Sequence, residues 1–275
     1  MGYKPDEKVR ALDFQIHLRQ IAEDAAERAG RELLRLFKEG KVSVRRKFDY
    51  PGSIVTNADK SAERIILSRL KKSGIPSTVV SEETGRVDFG SKEVVWAVDP
   101  LDGTMNYAKR IPYFAVSIGC IFKGKPVAGV IYNPVLDEMF TANSGGGAQL
   151  NGRRIHVSRT ASLRGASLIF EWWNHESRIP DPLDLEKRLF RFTRRVRSPG
   201  SVAMNLCTVA VGRFDGLITV FQRSPIYEIT AGCIIVEEAG GRVTNSRGEP
   251  WDTFKGSVIA ANERVHASII SLIGP

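Results

Sequence analysis

The sequence predicts an α/β protein made of two sheet-containing halves, residues 1–157 and 158–275, and three patterns carry that expectation. Val94-Val95-Trp96-Ala97-Val98 is a continuous apolar, β-prone run, as expected of a strand buried on both faces. Residues 114–142 form short β-rich stretches divided by turn residues, which reads as a meander. Beyond Ser158, strand and helix patterns alternate, the mark of layered α/β units.

Taken in order, residues 7–38 place Ile16, Ile21, Ala25, Ala29, Leu33, Leu34 and Phe37 at helical spacing, with Gly30 as a break. Residues 41–56 read as a hairpin turning near Tyr50-Pro51-Gly52. A helix at 58–73 stops before Gly74-Ile75-Pro76, a strand at 78–81 runs into Glu82-Glu83, and the central strand occupies 94–98. Strands at 115–122, 126–132 and 138–141 form the meander, and Gly145-Gly146-Gly147 is a turn. The second half reads as strands at 166–170, 194–196, 216–221 and 257–260, with helices at 182–192, 201–211, 227–239 and 263–272.

Composition narrows the function classes. No apolar run approaches the ~20 residues that span a bilayer, which argues against a membrane partner, and the N-terminus lacks the apolar core of a secretory signal. Cys120, Cys207 and Cys233 are far apart inside apolar segments, which predicts buried thiols and a reducing, cytoplasmic setting. The 40 basic and 31 acidic residues leave a net charge of +9. The basic residues fall in short groups (Arg45-Arg46-Lys47, Lys71-Lys72, Arg194-Arg195-Val196-Arg197) without interleaved aromatics. That pattern argues against a nucleic-acid partner and for a field that draws in anionic small molecules.

Chemistry concentrates in Asp99-Pro100-Leu101-Asp102-Gly103-Thr104, just after the central strand. Asp99 is expected to emerge at the strand's C-terminal end, where open α/β sheets place ligands. Pro100 stiffens the exit, Gly103 clears space for close approach, and Thr104 opens a helix whose amides face an anion. Two carboxylates with a peptide carbonyl between them suit oxygen-preferring cations such as Mg²⁺. Taken alone, the stretch also fits an Asx-turn with a helix cap. Four further segments change that balance. Thr56-Asn57-Ala58-Asp59 puts an acid at a helix start, and Ser81-Glu82-Glu83-Thr84 puts one at a strand end. Gly200-Ser201-Val202-Ala203-Met204-Asn205 opens a helix, and Tyr227-Glu228 begins another with an acid.

In this order the segments resemble the inositol monophosphatase family, within the Mg²⁺-dependent, lithium-sensitive phosphatases that include fructose-1,6-bisphosphatases. The likeness runs over about residues 10–270. It implies a five-layer αβαβα sandwich, a homodimer, and two or three Mg²⁺ per site, with Mn²⁺ as an alternative cation. Glu82, Asp99, the Leu101 carbonyl, Asp102 and Glu228 match metal ligands, while Asp59, Glu82 and Thr104 match the catalytic set. Asp102, Gly103, Thr104, Gly200, Ser201 and Arg223 are the expected substrate contacts.

Two positions depart from the family pattern. Tyr227-Glu228 stands where the family has Trp-Asp, which keeps the oxygen donor but adds a methylene. Seven residues before Glu228, where animal-type members carry a glutamate for ring hydroxyls, stands Phe221, followed by Gln222-Arg223. An apolar side chain accepts no hydroxyl hydrogen bond, whereas Arg223 suits a second phosphate. The chain is thus more similar to archaeal and thermophile-type members that take both fructose-1,6-bisphosphate and inositol-1-phosphate. Alternatives are a 3′-phosphoadenosine nucleotide phosphatase, with Trp172, Trp173 or Phe221 stacking a base, and a non-catalytic RNA- or protein-binding relative.

Overall fold

The computed structural model describes residues 7–40, 42–47, 54–172, 182–193, 195–220, 225–251 and 257–273. The chain begins with α1 (Glu7–Glu39), then β1 (Val44–Arg46) and β2 (Ile54–Thr56), an antiparallel pair. The hairpin tip expected at Tyr50-Pro51-Gly52 lies outside the described residues. There follow α2 (Asn57–Lys72), β3 (Thr78–Ser81), β4 (Gly85–Asp88), β5 (Val94–Asp102) and the short α3 (Thr104–Ala108). The meander is β6 (Ala115–Phe122), β7 (Lys125–Asn133), β8 (Glu138–Asn143), β9 (Gly147–Leu150) and β10 (Arg153–Arg154). The remainder is β11 (Ser167–Trp172), α4 (Pro182–Phe192), β12 (Arg195–Arg197), α5 (Val202–Ala210), β13 (Gly216–Val220), α6 (Ile226–Glu238), β14 (Arg242–Thr244), β15 (Ile259–Ala261) and α7 (Glu263–Ile273).

Hydrogen bonding gathers the longer strands into two sheets. Eight strands run β10-β9-β8-β7-β6-β5-β3-β4, antiparallel except for the β3–β5 pair. Five run β12-β11-β13-β15-β14, with β11 parallel to both neighbours. The apolar stripes of the helices decide how these sheets stack. α1 and α2 bury Leu18, Ala25, Leu33, Ile66 and Leu70 against one face of the large sheet, in a cluster that includes Trp96 and Ile118. α5 and α6 carry buried residues all round, as helices between two sheets must. They meet Ile131 and Phe140 on one side and Leu217 and Ala260 on the other. α4 and α7 cover the far face through Leu185, Leu189, Val265 and Ile269. The fold is therefore the five-layer αβαβα sandwich. The eight-stranded sheet comes wholly from residues before 155 and the five-stranded sheet from residues after 166.

The structure corrects three sequence readings. α1 runs unbroken through Gly30, whose role is contact: a Cβ there would meet the Tyr132 ring at 2.5 Å. Charged pairs one turn apart, such as Arg28–Asp24 and Arg35–Glu39, line its exposed face and support its length. The central strand does not stop at Val98; β5 continues through Asp102, with a register shift between Asp99 and Asp102. Four strands lacked a legible pattern: β4 is Gly-Arg-Val-Asp, β9 begins at Gly147 of the expected turn, and β10 and β14 have only two and three residues. All three thiols are buried and free, and no helix among the described residues is long and apolar enough to cross a membrane.

Candidate active site

The centre of the site is the irregular end of β5. The Leu101 amide donates to Asp99 Oδ1 at 3.0 Å, so the expected Asx-turn exists, and it coincides with the register shift of the strand between Asp99 and Asp102. Gly103 follows at φ +89°, where a Cβ would stand 2.9 Å from the Tyr113 carbonyl. That left-handed step starts α3 and brings Thr104 back over the turn. The Thr104 hydroxyl lies 3.0 Å from the Leu101 carbonyl and 3.1 Å from Asp59 Oδ1.

Asp59 reaches this point because Thr56 caps α2. Thr56 Oγ1 accepts from the Ala58 and Asp59 amides, and Asp59 Oδ2 accepts from the Thr56 amide at 2.8 Å, a reciprocal capping box. One carboxylate oxygen thus holds the helix start while the other faces Thr104. One turn on, buried Glu63 accepts from Ser81 Oγ, from the Thr84 amide at 3.0 Å and from Thr84 Oγ1 at 2.5 Å. These bonds fix the turn that carries Glu82 and Glu83. The Glu82 amide also donates to the Val98 carbonyl at 3.2 Å, tying that turn to β5.

The second half enters through two helix starts. Asp102 accepts from the Ala203 amide at 2.8 Å, the Val202 amide at 3.3 Å and the Ser201 hydroxyl, so the N-terminus of α5 closes on it. Glu171, at the end of β11, braces the loop before α5: it accepts from the Gly200 amide and Ser198 Oγ, each at 2.8 Å, and from Asn205 Nδ2 at 2.9 Å. The Gly200 amide, an expected substrate contact, is occupied by this brace, as is the Asn205 side-chain amide. Glu228 lies in the first turn of α6. Arg223, Phe221 and Gln222 lie outside the described residues, as does Trp173.

Crowding of acids dominates the electrostatics. Burial lifts Asp99 well above the usual carboxylate range, and the charges of Glu82, Asp102 and Glu228 push it further. Burial raises Glu228 in the same way, with Asp102 and Glu82 adding to it. Asp102 and Asp59 are each pushed up to about 6, again chiefly by burial. Glu82, Asp99, Asp102 and Glu228 crowded together, with no histidine or thiolate among them, offer the oxygen donors that suit a hard divalent cation. As the side chains stand, no three such groups among the described residues close on a single point. Each of three acids has another engagement: Glu82 with Lys47 at 2.8 Å, Asp99 with Glu82 and the Leu101 amide, Asp102 with α5. The donors fit the ion in chemistry and neighbourhood, and those engagements leave further carboxylate lone pairs for it.

Lys47, Glu63 and Glu171 are the site residues that sequence reasoning missed. Only Glu63 left a trace, since it follows Asp59 by four on one helix face.

Comparison with known proteins places the chain in a family. The model of the "Inositol monophosphatase family" matches residues 15–274. "Nus factor SuhB" of Escherichia coli (strain K12) is 35% identical over 252 residues, covering 91% of this chain and 93% of that one. "Inositol-1-monophosphatase" of Synechocystis sp. is 36% identical over 260 residues, covering 94% and 88%. The crystal structure of the extragenic suppressor protein suhB from Bartonella henselae superposes with a TM-score of 0.85 at 35% identity, covering 94% of this chain and 98% of that one. The chain belongs to the inositol monophosphatase family.

Proposed function

We propose that the protein is a Mg²⁺-dependent phosphate monoester hydrolase acting on sugar or polyol phosphates, with fructose-1,6-bisphosphate, inositol-1-phosphate or both as substrate. The observation that carries this reading is the Asp59–Thr104 pair standing beside the crowd of Glu82, Asp99, Asp102 and Glu228. Glu82, Asp99, the Leu101 carbonyl, Asp102 and Glu228 would hold two or three Mg²⁺, or Mn²⁺ in their place. The ions supply Lewis acidity, lowering the pKa of water and drawing charge off the phosphoryl oxygens.

The chain's own groups do the rest. A water beside Thr104 gives its proton to Oγ1 as the Thr104 proton passes to Asp59 Oδ1, 3.1 Å away. The oxygen so freed attacks phosphorus, the phosphorus–ester bond breaks opposite it, the departing alcohol oxygen takes a proton from a solvent water, and Asp59 returns its proton to solvent. The amides of Gly103 and Thr104 hold the equatorial phosphoryl oxygens. Ser201 and Arg223 contact the sugar or its second phosphate.

A substrate panel at fixed Mg²⁺, repeated with Mn²⁺, tests the reading. Phosphate release from fructose-1,6-bisphosphate or inositol-1-phosphate supports it, and release confined to 3′-phosphoadenosine 5′-phosphate replaces it with the nucleotide reading. Glu228→Asp restores the shorter side chain of the family pattern. It is expected to lower severalfold the Mg²⁺ concentration that gives half-maximal rate, and an unchanged metal dependence removes Glu228 from the ligand set.

A second reading draws on the 35% identity to a chain named Nus factor SuhB: a binding role separate from catalysis. Salt-sensitive RNA binding together with no metal-dependent turnover would favour it.

A further inference from the structure

We propose that Glu171 is a positioning residue: through the Ser198–Gly200 loop it holds the N-terminus of α5 on Asp102. Its effect on turnover rests on the hydrolase reading above, whereas the clasp itself does not. Glu171 stands near the C-terminal end of β11 and is 7% exposed. Its carboxylate collects three donors from one stretch of chain, the Gly200 amide, the Ser198 hydroxyl and the Asn205 side-chain amide. Residues of the first half grip the same stretch. Asn106 Nδ2 donates to the Pro199 carbonyl at 2.8 Å and lies 3.3 Å from the Gly200 carbonyl. Tyr113 Oη donates to Asn205 Oδ1 at 2.8 Å, which fixes the end of that amide turned to Glu171.

The three residues that follow this loop are the ones that serve Asp102, through the Ser201 hydroxyl and the Val202 and Ala203 amides. Chain continuity makes any shift of Gly200 carry Ser201 with it. Closer approach to β5 is blocked, since a Cβ on Gly103 would already meet Ser201 Cβ at 3.2 Å. A loop released from Glu171 can therefore only withdraw or slide, and both loosen its grip on Asp102. The place suits a carboxylate because that group is acceptor only, with two oxygens for three donors. Glutamine would turn an NH₂ on those donors and leave a buried one unpaired.

Amide hydrogen exchange of the full chain without added metal, read by peptide mass, tests the clasp. Glu171→Gln is expected to speed exchange severalfold in peptides covering residues 198–206 and to leave those of β6 and β7 as in wild type. Ser198→Ala removes one donor and keeps the carboxylate, and is expected to act in the same direction to a smaller degree. Phosphate release from fructose-1,6-bisphosphate and inositol-1-phosphate tests the role. Glu171→Gln is expected to lower kcat/KM about tenfold, the scale of one buried hydrogen bond to a charged group. On a Ser201→Ala background, where part of the grip on Asp102 is already gone, the loss is expected to be distinctly smaller. Unchanged exchange at 198–206 in whichever variant folds overturns the inference, as does an equal loss of rate on both backgrounds or no loss at all. A wild type that releases phosphate from neither substrate overturns the hydrolase reading, and exchange still decides the clasp.

Discussion

Asp99→Asn is expected to lose at least about a thousandfold in kcat, the scale of removing a main electrostatic stabiliser of the transition state, and to melt no lower than wild type. Both halves follow from the same surroundings. Asp99 is 2% exposed and faces the charges of Glu82, Asp102 and Glu228. In the proposed reaction it serves as an anionic ligand, and asparagine removes that charge. The amide still offers an oxygen to the Leu101 N–H, so the turn survives, and the remaining acids repel one another less. Steady-state kinetics and a thermal melt without added metal check the two halves separately. Near-normal activity would remove Asp99 from the metal site, and collapse of the fold would make its role structural.

Asp59→Asn is expected to cut kcat by about 10²–10⁴-fold, the usual range for losing a general base, while raising stability at pH 7. Asp59 is fully buried, and its carboxyl stands at about 6 against an ordinary 3.8. The folded state thus binds this proton more tightly than the unfolded chain does. The group favours folding at low pH, and that contribution disappears as pH rises from 3.8 through about 6. At neutral pH the ionised form costs up to about 3 kcal/mol. Asparagine escapes this cost and keeps one acceptor for the Thr56 amide, giving back part of the gain through a weaker, uncharged cap. Urea unfolding at pH 7 should therefore find the variant more stable, with the difference shrinking towards pH 4. A variant less stable at pH 7 would show that the capping box outweighs the buried charge.

Much of this architecture was legible because its signals are local. The periodicity of α1 and α2, the apolar run of β5 and the acids at helix starts each lie within a few residues. Fold-deciding contacts that are not local left no such mark. Gly30 reads as a helix break until Tyr132 is seen against it. Glu171 reads as one more strand residue until the Ser198–Gly200 loop and Asn205 fold onto it. Lys47 belongs to an ordinary basic triplet, and only the hairpin brings it to Glu82, 35 residues further along. The continuation of β5 through Pro100 was hidden for another reason. Proline donates no ladder bond, so sequence argues for a strand end, whereas the register shift between Asp99 and Asp102 accommodates it.

The middle layer has a consequence for how the molecule comes into being. α5 and α6 cover the inner face of the first sheet, yet α5 begins nearly fifty residues after that sheet is complete, and α6 later still. While it is being made, the first sheet must wait on the ribosome with Ile131 and Phe140 uncovered. Asp102 likewise waits for the α5 amides. Synthesis therefore passes through an interval in which a nearly complete sheet shows a bare apolar face and the candidate site is unfinished. That interval ends only when the segment through Glu238 has emerged, and an exposed sheet face of this kind is prone to aggregation until then.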